Sequence, residues 1–358
     1  MSWTPPSTNE MASLDSFLEP YLKKFKLPAL AAAVVSSDQI IAAGAVGVRK
    51  IGEDAQVTLN DKFHIGSCTK SITALLATML AADGKISLDL KVGDVFPDWD
   101  LSPEQQSITL SMLLRNRSGL GNNPPPALWL KAFSASGTPT EQRAWFLREF
   151  LKTPLAAKPD EKFIYSNVGY ALAGAMIETK LKTPWETLIR DRIFEPLHLK
   201  SAGFGTPTSK NDPNQPWGHQ MKDGKYQPIE PYDNPPAIAP GAAVHCSILD
   251  LARYADFHMQ VARGEIETLK PFQEFLYTPP ANANYAAGWL VEKRDWAGGK
   301  AITHAGSNTM FYTVIWIAPE KNFAFVLSTN AADPQGGLEG VAQQCDQIIG
   351  ALIRKFVR

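Results

Sequence analysis

The chain has 358 residues, 44% of them hydrophobic and 20% charged, an ordinary globular balance with room for one large domain or two interleaved ones. Collagen, disorder and coiled coil are excluded by that composition. Thirty-five Lys and Arg stand against 36 Asp and Glu, a formal charge of −1, so no global field draws the chain to nucleic acid or an anionic membrane.

The opening thirty residues carry Glu10, Asp15 and Glu19 and lack a basic stretch followed by an apolar one. No secretory signal is read there, and the expected location is cytoplasmic; a processed or trimmed periplasmic or secreted form would read the same way. No apolar run approaches the roughly eighteen residues of a membrane span. From Met11 to Phe25 the residues Met11, Leu14, Leu18, Leu22 and Phe25 fall near helical spacing and predict an amphipathic helix. Leu30 to Val35 and Ile40 to Val48 then read as an antiparallel hairpin around Ser36-Ser37-Asp38-Gln39.

The middle of the chain changes character. Helical periods run through Ser67 to Ala82, Pro103 to Arg115, Thr140 to Leu151, Ser166 to Leu181, Pro184 to Ile193 and Ile248 to Arg263. Between Pro207 and Gly241 lies a proline-dense segment without periodicity, interleaved with Trp217, Tyr226 and Tyr232, readable as a wall or lid or as a surface excursion. Strand candidates return at Trp289 to Lys293, Ala301 to His304, Tyr312 to Ile317 and Phe323 to Ser328, the last two joined by Pro319-Glu320-Lys321-Asn322. A closing helix is expected over roughly Leu338 to Phe356. Terminal strands around a helical middle predict an α+β fold: one antiparallel sheet from both chain ends, flanked by helices, plus a large helical region. The expected division is residues 1–62 with 285–358 for the sheet region, and 63–284 for the helical region, including the 207–241 loop.

Several chemistries lack their motifs. There is no G-x-S-x-G, no H-E-x-x-H, no P-loop and no G-x-G-x-x-G after a strand. His64, His198, His219, His245, His258 and His304 show no i, i+4 pairing, and Cys68, Cys246 and Cys345 are too scattered for a zinc site or a disulfide framework. One bridge stays open, with reduced thiols the default. No metal or cofactor is expected.

Three constellations remain. Ser67-Cys68-Thr69-Lys70 is an S-x-x-K at the start of a helix, and three residues of helix bring Lys70 to the Ser67 hydroxyl. Ser71 to Ala82 holds no other charge, so the helix is expected to be buried, which lowers the lysine pKa and suits Lys70 to act as a base. The Ser67 amide, near the helix N-terminus, can hold an oxyanion. About one such pattern is expected by chance in a chain of this composition. Tyr165-Ser166-Asn167 precedes an apolar helix; the phenol can move protons, and the amide can hold both an acyl group and the lysine, although a loop tyrosine and a cap asparagine would read alike. His304-Ala305-Gly306-Ser307 ends a predicted strand, where Gly306 permits close backbone approach and the Ser307 amide can supply a second oxyanion donor; a turn is the competing reading.

In this order, Ser67-x-x-Lys70, Tyr165-x-Asn167 and His304-x-Gly306 resemble the three motifs of the serine β-lactamase and penicillin-binding-protein superfamily. The likeness is to class C β-lactamases, D-alanyl-D-alanine carboxypeptidases with a Y-x-N motif, and related carboxylesterases. Leu113-Leu114-x-x-x-Ser118-Gly119-Leu120, Pro240-Gly241 leading to Leu249-Asp250-Leu251-Ala252, Gly288-Trp289 and Pro319-Glu320-Lys321 extend it through most of the chain. The resemblance implies the β-lactamase/transpeptidase fold and acyl transfer through a serine ester, with Ser67 as nucleophile and Lys70 with Tyr165 as base and proton relay. It further implies that Asn167, His304, Ala305 and Gly306 contact substrate and that the amides of Ser67 and Ser307 form the oxyanion hole. Many β-lactamases carry K-T-G where this chain has His304-Ala305-Gly306, and Asn116 stands where a histidine is common before Ser-Gly-Leu. A substrate carboxylate thereby loses partners unless Arg115 or Arg117 faces the site. The expected activity is therefore hydrolysis of carboxylic esters, with weak β-lactam hydrolysis at its side. A β-lactamase proper, a D-amino-acid peptidase or amidase, and a non-catalytic acyl-trapping sensor are the alternatives. The expected partner is a small-molecule ester, amide or β-lactam, not a nucleic acid or a membrane.

Overall fold

In the computed structural model, which describes residues 3–211, 214–333 and 340–357, a two-residue turn closes the first hairpin. Ser37 and Asp38 both take positive φ (51° and 59°), the geometry whose twist matches two right-twisted strands. The strands it joins, Ala29–Ser36 and Gln39–Gly47, pair antiparallel from Ala29 opposite Gly47 to Ser36 opposite Gln39, with a register shift between Val34 and Val35. Side chains alternate across the strand. Ala29, Ala31, Ala33 and Val35 enter one hydrophobic cluster, whereas Leu30, Ala32 and Val34 enter another.

Those two clusters are the two faces of a seven-stranded sheet. Its order runs Ala12–Ser13, Gln39–Gly47, Ala29–Ser36, Phe323–Thr329, Tyr312–Ala318, Gly299–Ser307, Leu290–Arg294. All neighbours are antiparallel except the edge pair of Ala12–Ser13 with Ala42 and Ala43. The helices Asp15–Phe25 and Val341–Phe356 cover one face through Leu18, Cys345, Ile348 and Leu352, with Leu14 just before the first. The helical part of the chain covers the other, the helix Ile248–Arg263 contributing Leu251, Tyr254 and Phe257. Small alanines in a strand buried on both faces let helices approach from either side.

Local differences from the sequence pattern have identifiable causes. The first helix begins at Asp15 because the sheet edge captures residues 12–13, with the Leu14 amide donating to the Ala43 carbonyl at 2.9 Å and the Asp15 carboxylate accepting from the Ala45 amide at 2.9 Å. Pro103 to Arg115 is two short helices, Pro103–Ser107 and Leu110–Leu114, because Thr109 caps the second through the Met112 amide. The 207–241 segment contains a hairpin, His219–Lys222 with Lys225–Pro228, turned at Asp223-Gly224. Its first strand also pairs with Ala331–Ala332. Among the short elements that escape the periodicity are the helix Pro126–Ala132 and the small sheet of Lys62–His64, Val244–Ser247 and Gly203–Phe204. The closing helix runs Val341–Phe356; its expected start at Leu338 lies outside the described residues. Cys68, Cys246 and Cys345 are buried free thiols. Among the described residues no helix is long and apolar enough to cross a membrane.

Candidate active site

Ser67 sits in a single tight turn, Gly66–Cys68, that leads into the helix Thr69–Ala82. Nearly every residue of that helix is buried, as its uncharged sequence predicts, and Lys70 is fully enclosed. The lysine nitrogen lies 3.2 Å from the Ser67 hydroxyl, 2.5 Å from Asn167 Oδ1 and 2.8 Å from the Gly241 carbonyl oxygen. Burial pulls its pKa down to about 7. A neutral amine fits these contacts: its two hydrogens go to the two carbonyl-type oxygens, and its lone pair points along the third direction, toward Ser67.

Tyr165 approaches the same hydroxyl from the other side, its phenol donating to Ser67 Oγ at 2.7 Å. Burial pushes its pKa up to about 12 despite that bond, and the Lys70 nitrogen sits 4.6 Å from the ring centroid. The phenol therefore keeps its proton. Tyr165 and Asn167 are held by a splint from residues 116–122. Asn116, at φ 55°, accepts from the Ile164 amide through its carbonyl and from the Ser166 amide through Oδ1. Asn122 Oδ1 accepts from the Asn167 amide at 2.7 Å, and Ser166 caps the helix Asn167–Leu181 through the Gly169 amide.

The third segment meets the nucleophile turn backbone to backbone. A Cβ on Gly306 would lie 2.4 Å from the Ser67 nitrogen, and one on Gly66 would lie 2.3 Å from the Ser307 nitrogen. Only glycine permits this approach, and it draws the Ser67 and Ser307 amides to one place. The neighbouring side chains behave differently from the substrate contacts expected of them. His304 is buried, donates from Nδ1 to the Ala305 carbonyl at 2.6 Å and has Nε2 3.5 Å from the Tyr285 hydroxyl. Burial lowers its pKa to about 3, so the imidazole is neutral. Ala305 packs into the cluster on the sheet face of the terminal helices, away from Ser67, because side chains alternate along the strand.

A cavity of about 460 Å³ opens on Ser67, bounded by Asn167, Ser307, Trp129, Ile238 and Asn234. The 207–241 segment is thus a wall of this cavity through Asn234 and Ile238. No charged side chain lines it among the described residues. Arg115 is turned away, donating to the Phe275 carbonyl at 3.1 Å, and Arg117 pairs with Asp160. Sequence reading passed over several contributors. Trp129 lies on the short helix whose prolines hide its period. His64 Nδ1 accepts from the Gly66 amide at 3.0 Å while Nε2 donates to Asp233 Oδ2 at 3.1 Å, which ties the 207–241 segment to the nucleophile turn. No local spacing signals a pair 169 residues apart.

A family model described as Beta-lactamase matches residues 14–344. The chain is a member of the beta-lactamase family. Among relatives of this family, Protein flp of Staphylococcus aureus (strain N315) is 23% identical over 335 residues, covering 90% of this chain. The chain spans 64% of that relative's length. Penicillin-binding protein 4 of Amycolatopsis lactamdurans is 24% identical over 308 residues, 80% of this chain and 76% of the relative. Of solved structures, the octameric penicillin-binding protein homologue from Pyrococcus abyssi superposes with TM-score 0.75 at 25% identity, covering 95% of this chain and 76% of that one. The D-amino acid amidase from Ochrobactrum anthropi SV3, complexed with L-phenylalanine amide, has TM-score 0.75 at 20% identity over 96% of this chain and 98% of its own. At that identity the likeness is one of fold, the β-lactamase/transpeptidase fold.

Proposed function

We propose that this member of the beta-lactamase family hydrolyses carboxylic esters through an acyl-Ser67 intermediate. The observation that carries the reading is the Ser67 hydroxyl held between a buried amine at 3.2 Å and a protonated phenol at 2.7 Å. Ser67 Oγ attacks the ester carbonyl and its proton passes to the Lys70 lone pair. The carbonyl oxygen becomes an oxyanion in the position served by the Ser67 and Ser307 amides. Collapse expels the alkoxide, which takes a proton delivered by the Tyr165 hydroxyl and replaced from Lys70. Water then attacks the acyl-serine and the same groups run in reverse.

The ester preference is supported by what surrounds Ser67. A β-lactam carboxylate would find neither a cation nor the threonine hydroxyl of K-T-G, since His304 is neutral and buried, Ala305 faces away, and Arg115 and Arg117 are engaged elsewhere. An ester needs none of these partners. The test is a rate panel of p-nitrophenyl butyrate, nitrocefin and D-phenylalanine amide, with Ser67→Ala beside the wild type. Turnover of the ester above the other two, lost in Ser67→Ala, is the expected result; a higher kcat/KM for nitrocefin or for the amide would replace the ester reading.

A further inference from the structure

We infer that the acyl group accepted at Ser67 is uncharged and largely apolar, preferably aromatic, seated against Trp129 with Asn234 as its polar neighbour. This rests on the esterase reading above and names the acid half of its substrate.

The cavity beside Ser67 has two kinds of wall. Trp129, Val168 and Ile238 supply an aromatic and aliphatic surface, and the Trp129 ring meets Phe133 edge-on at 5.5 Å, so the apolar surface continues outward onto a half-exposed phenylalanine. A flat aromatic acyl group gains both area and ring contact there. The polar wall is made of uncharged amides and hydroxyls. Asn122 is already committed to the Asn167 backbone, whereas Asn234, half-buried, makes no hydrogen bond within the described protein. Its amide offers both a donor and an acceptor to a neutral polar substituent.

Charge on the acyl group meets no compensation. The lining holds neither a carboxylate for an ammonium nor a cation for a carboxylate or sulfonate. Asp233, next to Asn234, is turned onto His64 and does not reach the cavity. Moving a charge from water into such a site without a partner is unfavourable. Of the two titratable groups on Ser67 Oγ, Tyr165 keeps its proton and Lys70 works as the free amine. An anionic acyl group favours its ammonium and removes the base, so anionic substrates suffer twice.

The experiment uses a matched set of p-nitrophenyl esters: 5,5-dimethylhexanoate, its isosteric cation 4-(trimethylammonio)butyrate, the anion 4-sulfobutyrate, and the pair phenylacetate and acetate. The expected result is a kcat/KM for the neutral ester at least about tenfold above both charged ones. Phenylacetate should exceed acetate, and Trp129→Ala should lower that ratio by about tenfold. Asn234→Asp should raise the cationic ester relative to its neutral isostere. Charged esters turned over as fast as the neutral one, with activity still lost in Ser67→Ala, would overturn this inference and leave the esterase reading standing. No Ser67-dependent turnover of any ester would overturn both.

Discussion

Gly306 and Gly66 face each other so closely that neither position has room for a side chain. A Cβ on Gly306 would come within 2.1 Å of the Ile65 carbonyl oxygen, and one on Gly66 within 2.7 Å of the Gly306 carbonyl carbon. Gly306→Ala must therefore push the strand away from the nucleophile turn. We predict a stability loss of about 1–3 kcal/mol. Separating the two amides should also cost about 10²–10³ in kcat. Thermal melting and ester kinetics read the two effects; an alanine variant with full activity would show that the amides do not act together.

The pH dependence follows from Lys70. With its pKa lowered to about 7, the free amine predominates above that pH and the ammonium below it. Activity should rise as pH increases through about 7 and then stay level, because Tyr165 holds its proton to about 12. A kcat/KM profile checks this. An acid limb centred near pH 4 or 5 would point to a carboxylate base instead.

Lys70 and Tyr165 touch the same oxygen and should behave as one unit. Base catalysis contributes about 10²–10⁴-fold, so Lys70→Ala and Tyr165→Phe should each lose at least that much. The double variant should fall far short of the product, since groups that act together are non-additive. Multiplicative losses would assign one of them a purely structural part.

The pairing of Ser67 with Lys70 was legible because three helical residues fix it locally, and burial of the lysine was legible from the uncharged stretch after it. The hairpin at Ser37-Asp38 was legible for the same local reason. What lay hidden depends on long-range packing. Trp129 sits on a helix too short and too rich in proline to show a period, and His64 meets Asp233 across 169 residues of chain. Ala305 misled in a different way. A motif aligned by order says which residues follow one another, but the two-residue period of the strand decides which face each side chain takes. The hairpin at Asp223-Gly224 carried a readable turn signal amid prolines that masked it.

Asn116 tests whether the splint matters. Its φ of 55° suits asparagine, and its Oδ1 accepts the buried Ser166 amide at 3.0 Å. Asn116→Ala combines a left-handed backbone penalty of about 1–2 kcal/mol with a buried amide left unpaired, worth about 1–3 kcal/mol. Asn116→Gly removes only the hydrogen bond and should cost less. Chemical denaturation of both variants orders them, and a glycine variant no more stable than the alanine one would remove the backbone part of the argument.

The third motif supplies a test that separates the two faces of one strand. Ala305 packs with the terminal helices, so Ala305→Thr adds a hydroxyl where no substrate reaches and should leave the nitrocefin to p-nitrophenyl butyrate ratio of kcat/KM unchanged. Position 304 lies on the opposite face, close enough to Lys70 for the lysine charge to depress the imidazole pKa. His304→Lys therefore places a second cation near the catalytic amine, and like charges disfavour each other's charged form. The acid limb of the ester profile should move below pH 7. The same ammonium gives a β-lactam carboxylate its missing partner, so the nitrocefin ratio should rise in this variant alone. A rise produced by Ala305→Thr, with none from His304→Lys, would reverse the assignment of faces and return the hydroxyl to the site.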